Sequence, residues 1–373
     1  MVYPRELVLV GGGHSHVQVL RTQRSAPLDA RVTLVVDQPL AAYSGMVPGL
    51  VAGQYRPEQL QIDLRPLARQ AGIRVIHARC TGLDVQGRRV LLEGRPPLRY
   101  DLVSLNVGST VAGAGLPGVR EHALSTRPIA AFVRRFEQLA ARGAEHVIIV
   151  GAGAGGVELA FCVQARLGCR VTVVAGQLLA RRPGLNARLR EAAAGRGITW
   201  EIPARVARVE AWGAHLEDGR QLEADAVLWV AGAAPHAGLF EGLPTDAAGF
   251  VLVEDSLQVV GHPEVFAVGD CASLRDQAWV PKAGVYAVRQ GPVLLQNLRR
   301  SLLGDPALPF EAQRDFLTLL NLGDGTALGE KWGQAIQGAW VFELKDRLDR
   351  DFVAKFQVLD AQGRPDRGGH RAP

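Results

Sequence analysis

Residues 146–158, HVIIVGAGAGGVE, decide the fold. The apolar run at 146–150 leads directly into a complete G-x-G-x-x-G motif at 151–156, and a helical pattern follows over 157–167. In such a strand-turn-helix unit the glycines allow a tight turn, the approach of a pyrophosphate, and close packing of helix on strand. The free N–H groups at the helix start then favour the anion. The stretch predicts a dinucleotide site with Gly151, Gly153 and Gly156 as cofactor-binding residues, and a glycine-rich turn without a ligand is the alternative.

The second strand of this unit, residues 171–174, ends without an acidic residue, in Ala175-Gly176. A carboxylate at this point would bond the ribose diol and repel a 2′-phosphate, so its absence admits both NADH and NADPH. Arg181 and Arg182 follow a few residues later and favour NADPH weakly. A solvated basic turn is the equally good alternative for these two arginines.

An earlier unit of the same kind begins with the apolar run at 7–10 and Gly11-Gly12-Gly13-His14-Ser15-His16. It is an imperfect match, because His16 stands where the third glycine is expected and should push the helix away unless its ring turns aside. Asp37 strengthens the match, since it ends the second strand and is placed to accept hydrogen bonds from a ribose. His14 and His16 could contact the dinucleotide, but packing is the favoured interpretation for both.

Short strand patterns follow each unit and give the two halves one architecture. They lie at residues 74–77, 82–85, 88–92 and 100–107 after the first unit, and at 198–202, 205–210, 215–216 and 226–230 after the second. Residues 265–268 return to strand character before Gly269-Asp270, and residues 281–300 form a long helical pattern with Pro281 as its first residue. The C-terminal part, 316–373, has strand-like segments at 316–321 and 339–344 and an amphipathic helix at about 346–356. The pattern predicts an α/β fold with two Rossmann-like dinucleotide-binding domains, the second inserted in the first, and a small α+β C-terminal element.

Composition excludes several classes of protein. The apolar fraction of 47% and charged fraction of 21% are those of a globular chain, and the net charge of +5 is spread rather than clustered, which argues against nucleic acid. The four cysteines form no C-x-x-C pair or zinc pattern, so we predict no metal site and a reducing, cytoplasmic setting. The N-terminal residues lack the features of a secretory signal, and no segment reads as a spanning helix.

The ordered set of motifs resembles the two-dinucleotide flavoproteins of the pyridine nucleotide-disulfide oxidoreductase superfamily, and within it type II NADH dehydrogenases. A narrower likeness, carried by Gly11 to Val17, by Pro281 to Gly291 and by Trp340 to Arg350, is to flavoproteins found alone or fused to selenophosphate synthetase. The resemblance implies FAD in a domain made of residues 1–112 and 246–315, and NADH or NADPH in a domain of residues 113–245.

The resemblance also implies roles for individual residues. The cofactor-binding residues it implies are Gly11, Gly13, His14, Ser15, Asp37, Gly108, Gly151, Gly153, Gly156, Gly232, Gly269, Asp270 and Lys282. Glu158, Lys282 and Gln290 are its catalytic candidates, with Gln290 and Tyr286 in an acceptor pocket and Lys282 stabilising charge on the reduced flavin. A helix-start acid is the alternative for Glu158, and an exposed lysine in a first turn is the alternative for Lys282.

Two departures from the superfamily pattern affect the predicted chemistry. Disulfide reductases carry C-x-x-x-x-C early in the FAD domain, where this chain has Ala42 to Pro48 without cysteine. The lysine that partners the glutamate in disulfide reductases has no equivalent in the segment 43–51. Sulfide-quinone reductases need a pair of cysteines that flank the flavin, and Cys271 alone cannot form such a pair. For Cys80, Cys162 and Cys169 a buried structural role is the favoured interpretation.

The predicted function is an FAD-dependent NAD(P)H dehydrogenase. Hydride passes from nicotinamide to flavin, and electrons then pass to a quinone or another small acceptor without a redox disulfide. A low-turnover flavin redox sensor or scaffold is one alternative, and a selenium- or sulfur-linked flavin reductase is another. The sequence leaves the acceptor open, and a homodimer is compatible with it.

Contact with a membrane surface is the less favoured reading of the C-terminal helix. Leu344, Leu348, Phe352 and Phe356 recur every four residues and form an apolar stripe. The remaining positions mix acidic and basic residues instead of being basic, so docking on the protein's own domain is favoured over peripheral attachment at the cytoplasmic face of a membrane.

Overall fold

The first part of the chain builds most of a large sheet. The computed structural model describes residues 4–179 and 182–358. The elements up to residue 112 are β1 (Glu6–Val10), α1 (His14–Gln23), β2 (Arg31–Val36), β3 (Leu40–Ala42), α2 (Val47–Val51), β4 (Gln61–Asp63), α3 (Leu64–Gln70), β5 (Arg74–His77), β6 (Cys80–Asp84), β7 (Arg89–Leu92), β8 (Arg95–Arg99), β9 (Leu102–Leu105) and β10 (Thr110–Val111). Strands β1, β2 and β9 are apolar on both faces and almost wholly buried, as parallel strands covered by helices must be.

Residues after 246 complete the same sheet. They contribute β20 (Val251–Val253), β21 (Gln258–Val259), β22 (His262–Ala267) and β23 (Ala272–Leu274), followed by α8 (Gly284–Leu303). The sheet has eight strands in the order β23-β20-β21-β22-β9-β1-β2-β5. Strand β22 lies parallel to β9, with Val265 opposite Val103. Segments far apart in sequence therefore share one sheet.

The intervening part of the chain forms a second sheet of its own. Its elements are α4 (Val119–His122), β11 (Ala123–Ser125), α5 (Ile129–Arg142), β12 (His146–Val150), α6 (Ala154–Leu167), β13 (Arg170–Val174), α7 (Pro183–Ala193), β14 (Ile198–Glu201), β15 (Val206–Glu210), β16 (Gly213–Leu216), β17 (Gln221–Glu223), β18 (Ala226–Trp229) and β19 (Ala233–Ala234). Five parallel strands run in the order β11-β18-β12-β13-β14. The predicted fold class, an α/β chain with one Rossmann-like unit inserted in another, is confirmed.

Two short strands join the two units. Thr110 on β10 lies opposite Ala234 on β19 in an antiparallel pair, and the Thr110 hydroxyl donates to the Ala234 carbonyl at 3.1 Å. One of these strands enters the inserted unit and the other leaves it. The boundaries 112/113 and 245/246 remain our proposed limits of the two domains.

The C-terminal element is a three-stranded antiparallel sheet covered by a helix. It comprises β24 (Thr318–Asn321), β25 (Ala327–Lys331), β26 (Gln334–Gly338) and α9 (Ala339–Ala354). The strand predicted at residues 339–344 is wrong, because these residues are the first part of α9. Their apolar, β-prone composition suggested a strand, but Val341 and Val353 share a buried helix face that packs on the rest of the chain, and this packing decides the structure.

Helix α8 begins later than the sequence predicted. It starts at Gly284 rather than at Pro281 and continues to Leu303 rather than Arg300. Pro281 and Lys282 therefore belong to the loop that precedes the helix. Gly304, at a φ of 80°, ends the helix in the left-handed conformation, whose steric strain glycine avoids.

Candidate active site

The first glycine-rich turn lies where four strand ends of the large sheet meet. Gly11 N–H donates to the Val35 carbonyl at 2.8 Å, and a Cβ on Gly11 would lie 2.4 Å from the Asn106 carbonyl oxygen. Gly11 also has a φ of 92°. A residue with a side chain at this position would strain the backbone and collide with β9, so the tight turn after β1 requires glycine. Gly13 is equally confined, since its Cβ would lie 2.3 Å from Asn106 Oδ1.

Asn106, which the sequence analysis did not single out, ties this turn to its neighbours. Its side-chain Oδ1 accepts the His16 N–H at 3.3 Å, and its Nδ2 donates to the Val268 carbonyl at 2.9 Å. Its backbone carbonyl accepts the Gly13 N–H at 3.3 Å. A single buried amide thus fixes the start of α1 against the ends of β9 and β22, leaving Gly108 beyond it with no atom within 4 Å of a Cβ.

His16 does not push α1 away from the sheet, because its ring turns inward between buried partners. Its Nδ1 lies 2.7 Å from the Gly11 carbonyl oxygen and its Nε2 lies 2.8 Å from Ser104 Oγ. Burial lowers the pKa of His16 to about 4, against the opposing effect of the hydrogen bond to Gly11. His16 therefore packs inside the protein, with both ring nitrogens in hydrogen bonds, as the favoured interpretation expected.

Ser15 and His14 point in different directions. The Ser15 hydroxyl, predicted as cofactor-binding, is buried and donates to the Ala287 carbonyl of α8 at 2.6 Å. The His14 ring, also predicted as cofactor-binding, lies 5.4 Å from the Tyr43 ring. In the described part of the chain its Nδ1 has no hydrogen-bond partner although it is buried. Asp37 is exposed just after β2, where a ribose would be bound.

The second glycine-rich turn repeats the geometry of the first at the end of β12. Gly151 N–H donates to the Val174 carbonyl at 2.9 Å. A Cβ on Gly156 would lie 2.0 Å from the Gly151 carbonyl oxygen, whereas a Cβ on Gly153 would meet no atom of residues 4–179 and 182–358 within 4 Å. The third glycine thus lets α6 lie against the turn, while the described residues leave space for a phosphate beside the second. Among the same residues no atom lies within 4 Å of a Cβ on Gly232, just beyond β18.

Gly269 and Asp270 follow β22, at the same sheet edge as the first turn. The Gly269 N–H donates to Gln290 Oε1 at 2.7 Å, so Gln290, a catalytic candidate, holds this turn from α8. Asp270 forms an ion pair with Arg127 at 3.0 Å, and Arg127 also donates to the Ser109 carbonyl at 2.9 Å. Arg127 comes from the inserted unit, so this pair crosses from one unit to the other at the predicted flavin site.

Lys282 is neither exposed nor part of a helix. Its Nζ donates to Ser273 Oγ at 2.7 Å and lies 4.2 Å from the centre of the Phe250 ring. Burial lowers its pKa, and Asp246 opposes that shift. Lys282, Tyr286 and Gln290 line one cleft with Gly269 and Asp270, so the structure brings these predicted residues together.

A buried charged cluster connects α6, α9 and the loop before α2. Lys345 Nζ lies 3.7 Å from Glu158 Oε1 and 2.8 Å from Asp349 Oδ2, and it donates to the Gly45 carbonyl at 3.1 Å. Glu158 Oε1 also accepts the N–H of Asn321 at 2.9 Å. The segment 43–51 does lack a lysine, as the sequence indicated, but the glutamate has one from the C-terminal helix.

The charges in this cluster are unequal. Lys345 supplies one positive charge to two carboxylates, and all three side chains are at most about one-tenth exposed. Burial opposes the charge on Lys345, yet Glu158 and Asp349 together raise its pKa. Burial raises the pKa of Glu158 against the pull of Lys345, and it raises that of Asp349 in the same way. Lys345 is therefore charged, and the surplus carboxylate can hold a proton.

An aromatic cluster extends from the charged cluster to the first turn. The rings of Tyr43 and Phe352 lie 4.6 Å apart, and each contacts the ring of His14. His14 is the first residue of α1 and Glu158 lies in the first half of α6. The clusters thus occupy the space between the two glycine-rich turns.

The structure changes the interpretation of the arginines that followed β13. Arg182 forms an ion pair with the buried Glu330 on β25 and lies over the Phe316 ring, so it ties the inserted unit to the C-terminal element. It is not free to bind a 2′-phosphate, and that role for Arg182 is wrong. Arg181 lies outside the described residues.

The cysteines are all free. Cys271 is buried, and its thiol donates to the Val268 carbonyl at 3.2 Å. Burial raises its pKa to about 11, which suppresses the reactive thiolate. Over residues 4–179 and 182–358 we find no group of three or more side chains able to hold a metal ion, and no helix long and apolar enough to cross a membrane.

Three site residues escaped the sequence analysis: Asn106, Arg127 and Lys345. Asn106 lies within the strand predicted at residues 100–107, two residues before Gly108, so its place at the sheet edge could have been found. Lys345 was quoted within a C-terminal motif, but nothing in the sequence pairs it with Glu158. Both Lys345 and Arg127 reach the site from another unit, which local patterns cannot indicate.

Comparison with known proteins agrees with this geometry. Residues 5–291 match the family described as pyridine nucleotide-disulphide oxidoreductase. An NADH dehydrogenase-like protein of Mycobacterium tuberculosis is 30% identical over 309 residues, covering 75% of this chain and 76% of the relative. The NADH dehydrogenase-like protein YutJ of Bacillus subtilis is 26% identical over 353 residues, covering 88% of this chain and 91% of the relative.

Solved structures share the fold. NDH2 from Plasmodium falciparum, in complex with NADH, superposes with a TM-score of 0.79 at 13% identity and covers 95% of this chain and 97% of its own. The sulfide:quinone oxidoreductase of Aquifex aeolicus superposes with a TM-score of 0.78 at 16% identity and covers 98% and 93%. At these identities the likeness establishes the architecture and no residue role.

Proposed function

The chain belongs to the pyridine nucleotide-disulphide oxidoreductase family, and on that premise we propose that it oxidises NAD(P)H and delivers the electrons to a quinone or another small acceptor without a redox disulfide. The enzyme class, an FAD-dependent NAD(P)H oxidoreductase, follows from the family and its NADH dehydrogenase-like relatives. The identity of the acceptor, and the transfer of electrons to it without a redox disulfide, are our proposal. The narrower likeness to flavoproteins found alone or fused to selenophosphate synthetase remains a prediction.

The observation that carries the proposal is the pair of matching glycine-rich turns with a buried charged cluster between them. Among the described residues, no atom lies within 4 Å of a Cβ on Gly153 or Gly108, and His14 Nδ1 is buried without a partner. Asp37 is exposed at a strand end. These features fit a dinucleotide at each turn, FAD at the first and NAD(P)H at the second.

FAD, when bound, supplies a ring that accepts two electrons from the nicotinamide and releases them to the acceptor. The chain positions the reactants and manages charge. Gly156 seats α6 so that its N-terminal N–H groups face the pyrophosphate of the nicotinamide cofactor. Lys345 holds a fixed positive charge between the turns, and Glu158 beside it would take up or release a proton as a bound flavin changes its oxidation state.

The cleft lined by Lys282, Tyr286 and Gln290 supports an acceptor site distinct from the nicotinamide site. It opens beside Gly269-Asp270, at the carboxyl edge of the large sheet, while the second turn lies on the other unit. Its wall is formed by the start of α8 and the loop before it. Tyr286 lies in this wall, and its hydroxyl donates to the Gln313 carbonyl at 3.1 Å.

Anaerobic spectroscopy tests the proposal. The purified protein should be yellow, and stopped-flow mixing with NADH or NADPH should bleach the flavin band. Subsequent mixing with a short-chain quinone should restore that band. A colourless protein that takes up no flavin, or a flavin that neither cofactor bleaches, would refute the dehydrogenase. Fast bleaching with slow reoxidation by every quinone would favour the redox sensor.

Helix α9 has exposed apolar side chains that could contact a membrane surface. Phe352 and Phe356 of the predicted apolar stripe pack against the protein, but Leu344 is 37% exposed and Leu348 is 47% exposed. Trp340, four residues before Leu344, is 56% exposed and extends the exposed part. We propose that the protein is cytoplasmic and that this part of the stripe touches a membrane surface when the acceptor is a lipid-soluble quinone. Co-sedimentation with liposomes of Trp340→Ser/Leu348→Ser against wild type tests it, and equal binding or none by both would refute it.

A further inference from the structure

The two glycine-rich turns can be superposed residue by residue through their strand registers. Val10, the last residue of β1, pairs with Val35, and Val150, the last residue of β12, pairs with Val174. In each unit the next residue, a glycine, donates its N–H to the carbonyl of that partner. Asp37 lies two residues after Val35, and the residue two after Val174 is a glycine. Gly176 therefore occupies in the second unit the place that Asp37 occupies in the first.

An arginine lies beside this glycine. A Cβ placed on Gly176 would lie 3.8 Å from Nη2 and 4.0 Å from Nε of Arg205. The backbone on both sides of Arg205 is held by hydrogen bonds. The N–H of the preceding Ala204 donates to the Ala175 carbonyl at 2.9 Å, and the carbonyl of Arg205 accepts the Glu217 N–H at 2.9 Å. The guanidinium thus stands where an acidic side chain would reach for a ribose diol.

The nearby acids leave Arg205 without a partner. Glu201, at the end of β14, forms an ion pair with Arg220 at 2.7 Å. Glu217 has an exposed carboxylate that makes no ion pair with Arg205. Within residues 4–179 and 182–358 the exposed side chain of Arg205 has no hydrogen bond, ion pair or ring contact. A planar guanidinium of this kind is suited to bidentate binding of a phosphate.

We propose that Arg205 binds the 2′-phosphate of NADPH, so that the second glycine-rich turn takes NADPH in preference to NADH. The proposal deepens the function proposed above and rests on it. Two features act together. The missing carboxylate at Gly176 removes repulsion of the phosphate, and Arg205 supplies the cation that attracts it. The preference is assigned to a residue after β14, not to the arginines that directly follow β13.

Binding of fragments by the flavin-loaded protein tests the proposal without turnover. Isothermal titration should show that adenosine 2′,5′-bisphosphate binds at least about 10-fold tighter than adenosine 5′-monophosphate, the usual worth of a charged hydrogen bond. In Arg205→Ala the two affinities should become equal. Equal affinities in the wild type, or a preference that survives in Arg205→Ala, would overturn the proposal.

The rate of flavin reduction by each nicotinamide cofactor gives a second test. Arg205→Ala should lower kcat/KM for flavin reduction by NADPH by about 10- to 100-fold and leave that for NADH unchanged. Gly176→Asp places a carboxylate at the position of Asp37, where the nearest atom of the described residues is Arg205 Nη2 at 3.8 Å from the new Cβ, and it should reverse the preference. Arg208→Ala, which removes an exposed arginine on β15, serves as the control. If neither cofactor bleaches the flavin, the proposed function fails, while the calorimetry still decides the role of Arg205.

Discussion

Lys345 Nζ lies 3.7 Å from Glu158 Oε1, and this contact joins the C-terminal helix to the helix that follows the second glycine-rich turn. The same ammonium group reaches the Gly45 carbonyl in the part of the chain that carries the first turn. One side chain therefore binds three segments, each of which the sequence assigns to a different unit. Because both side chains are buried, we expect this ion pair to affect the stability of the protein and the charge of Glu158.

Replacing Lys345 by methionine should destabilise the protein strongly. The change leaves two buried carboxylates without their cation, and removal of one partner of a buried ion pair costs about 3–5 kcal/mol. Urea denaturation of wild type, Lys345→Met, Glu158→Gln and the double variant measures the loss and the coupling. In the double variant the loss should be smaller than the sum of the single losses. Additive losses would mean that the two side chains do not interact.

Glu158→Gln should separate the chemical role of this carboxyl group from its structural one. Glutamine keeps an oxygen for the Asn321 N–H, so the fold and the flavin content should be retained. It cannot hold and release a proton, and we expect acceptor reduction to slow by about 100-fold. Stopped-flow reoxidation of the reduced flavin by a short-chain quinone measures this. Glu191→Gln, an exposed glutamate of α7, is the control, and equal rates in both variants would assign Glu158 a purely structural role.

The sequence predicted the two glycine-rich turns because their geometry is local. Gly11 and Gly151 each follow a buried strand and each close on a neighbouring strand, so a short window contains the whole signal. The strands of the two units could be predicted for the same reason, since parallel buried strands are continuous apolar runs. The position of Glu158 near the second turn also followed from its place in the helix.

What the sequence could not predict depends on packing between units. Arg182 appeared free to bind phosphate, yet Glu330 from the C-terminal sheet takes its charge. Residues 339–344 looked like a strand until the buried face of α9 determined their conformation. Neither partner lies within the window that a local pattern covers. Long-range ion pairs and tertiary override of propensity therefore account for the errors.

Gly156→Ala should impair the nicotinamide site and leave the flavin site intact. A Cβ there would lie 2.0 Å from the Gly151 carbonyl oxygen, so α6 must move away from the turn. We expect the apparent Kd for the nicotinamide cofactor to rise by at least about 10-fold, equivalent to ~1.4 kcal/mol. Titration of the flavin absorbance under anaerobic conditions measures it. Gly155→Ala is the matched control, because no atom in the described part of the chain lies within 4 Å of a Cβ at Gly155. Equal effects of the two variants would refute the close approach.

His16 should make the protein acid-sensitive in a defined interval. Burial lowers its pKa from 6.5 to about 4 in the folded protein, so the unfolded chain binds the proton more readily between these values. Stability is therefore highest above pH 6.5 and decreases as the pH falls toward 4, where the loss amounts to about 3 kcal/mol. The free energy of unfolding, measured by urea denaturation across this interval, should therefore rise with pH. In His16→Gln the slope should be smaller whatever the cost of the substitution itself, since a constant loss does not alter a slope. A His16→Gln protein that keeps the wild-type slope would show that His16 is not the titrating group.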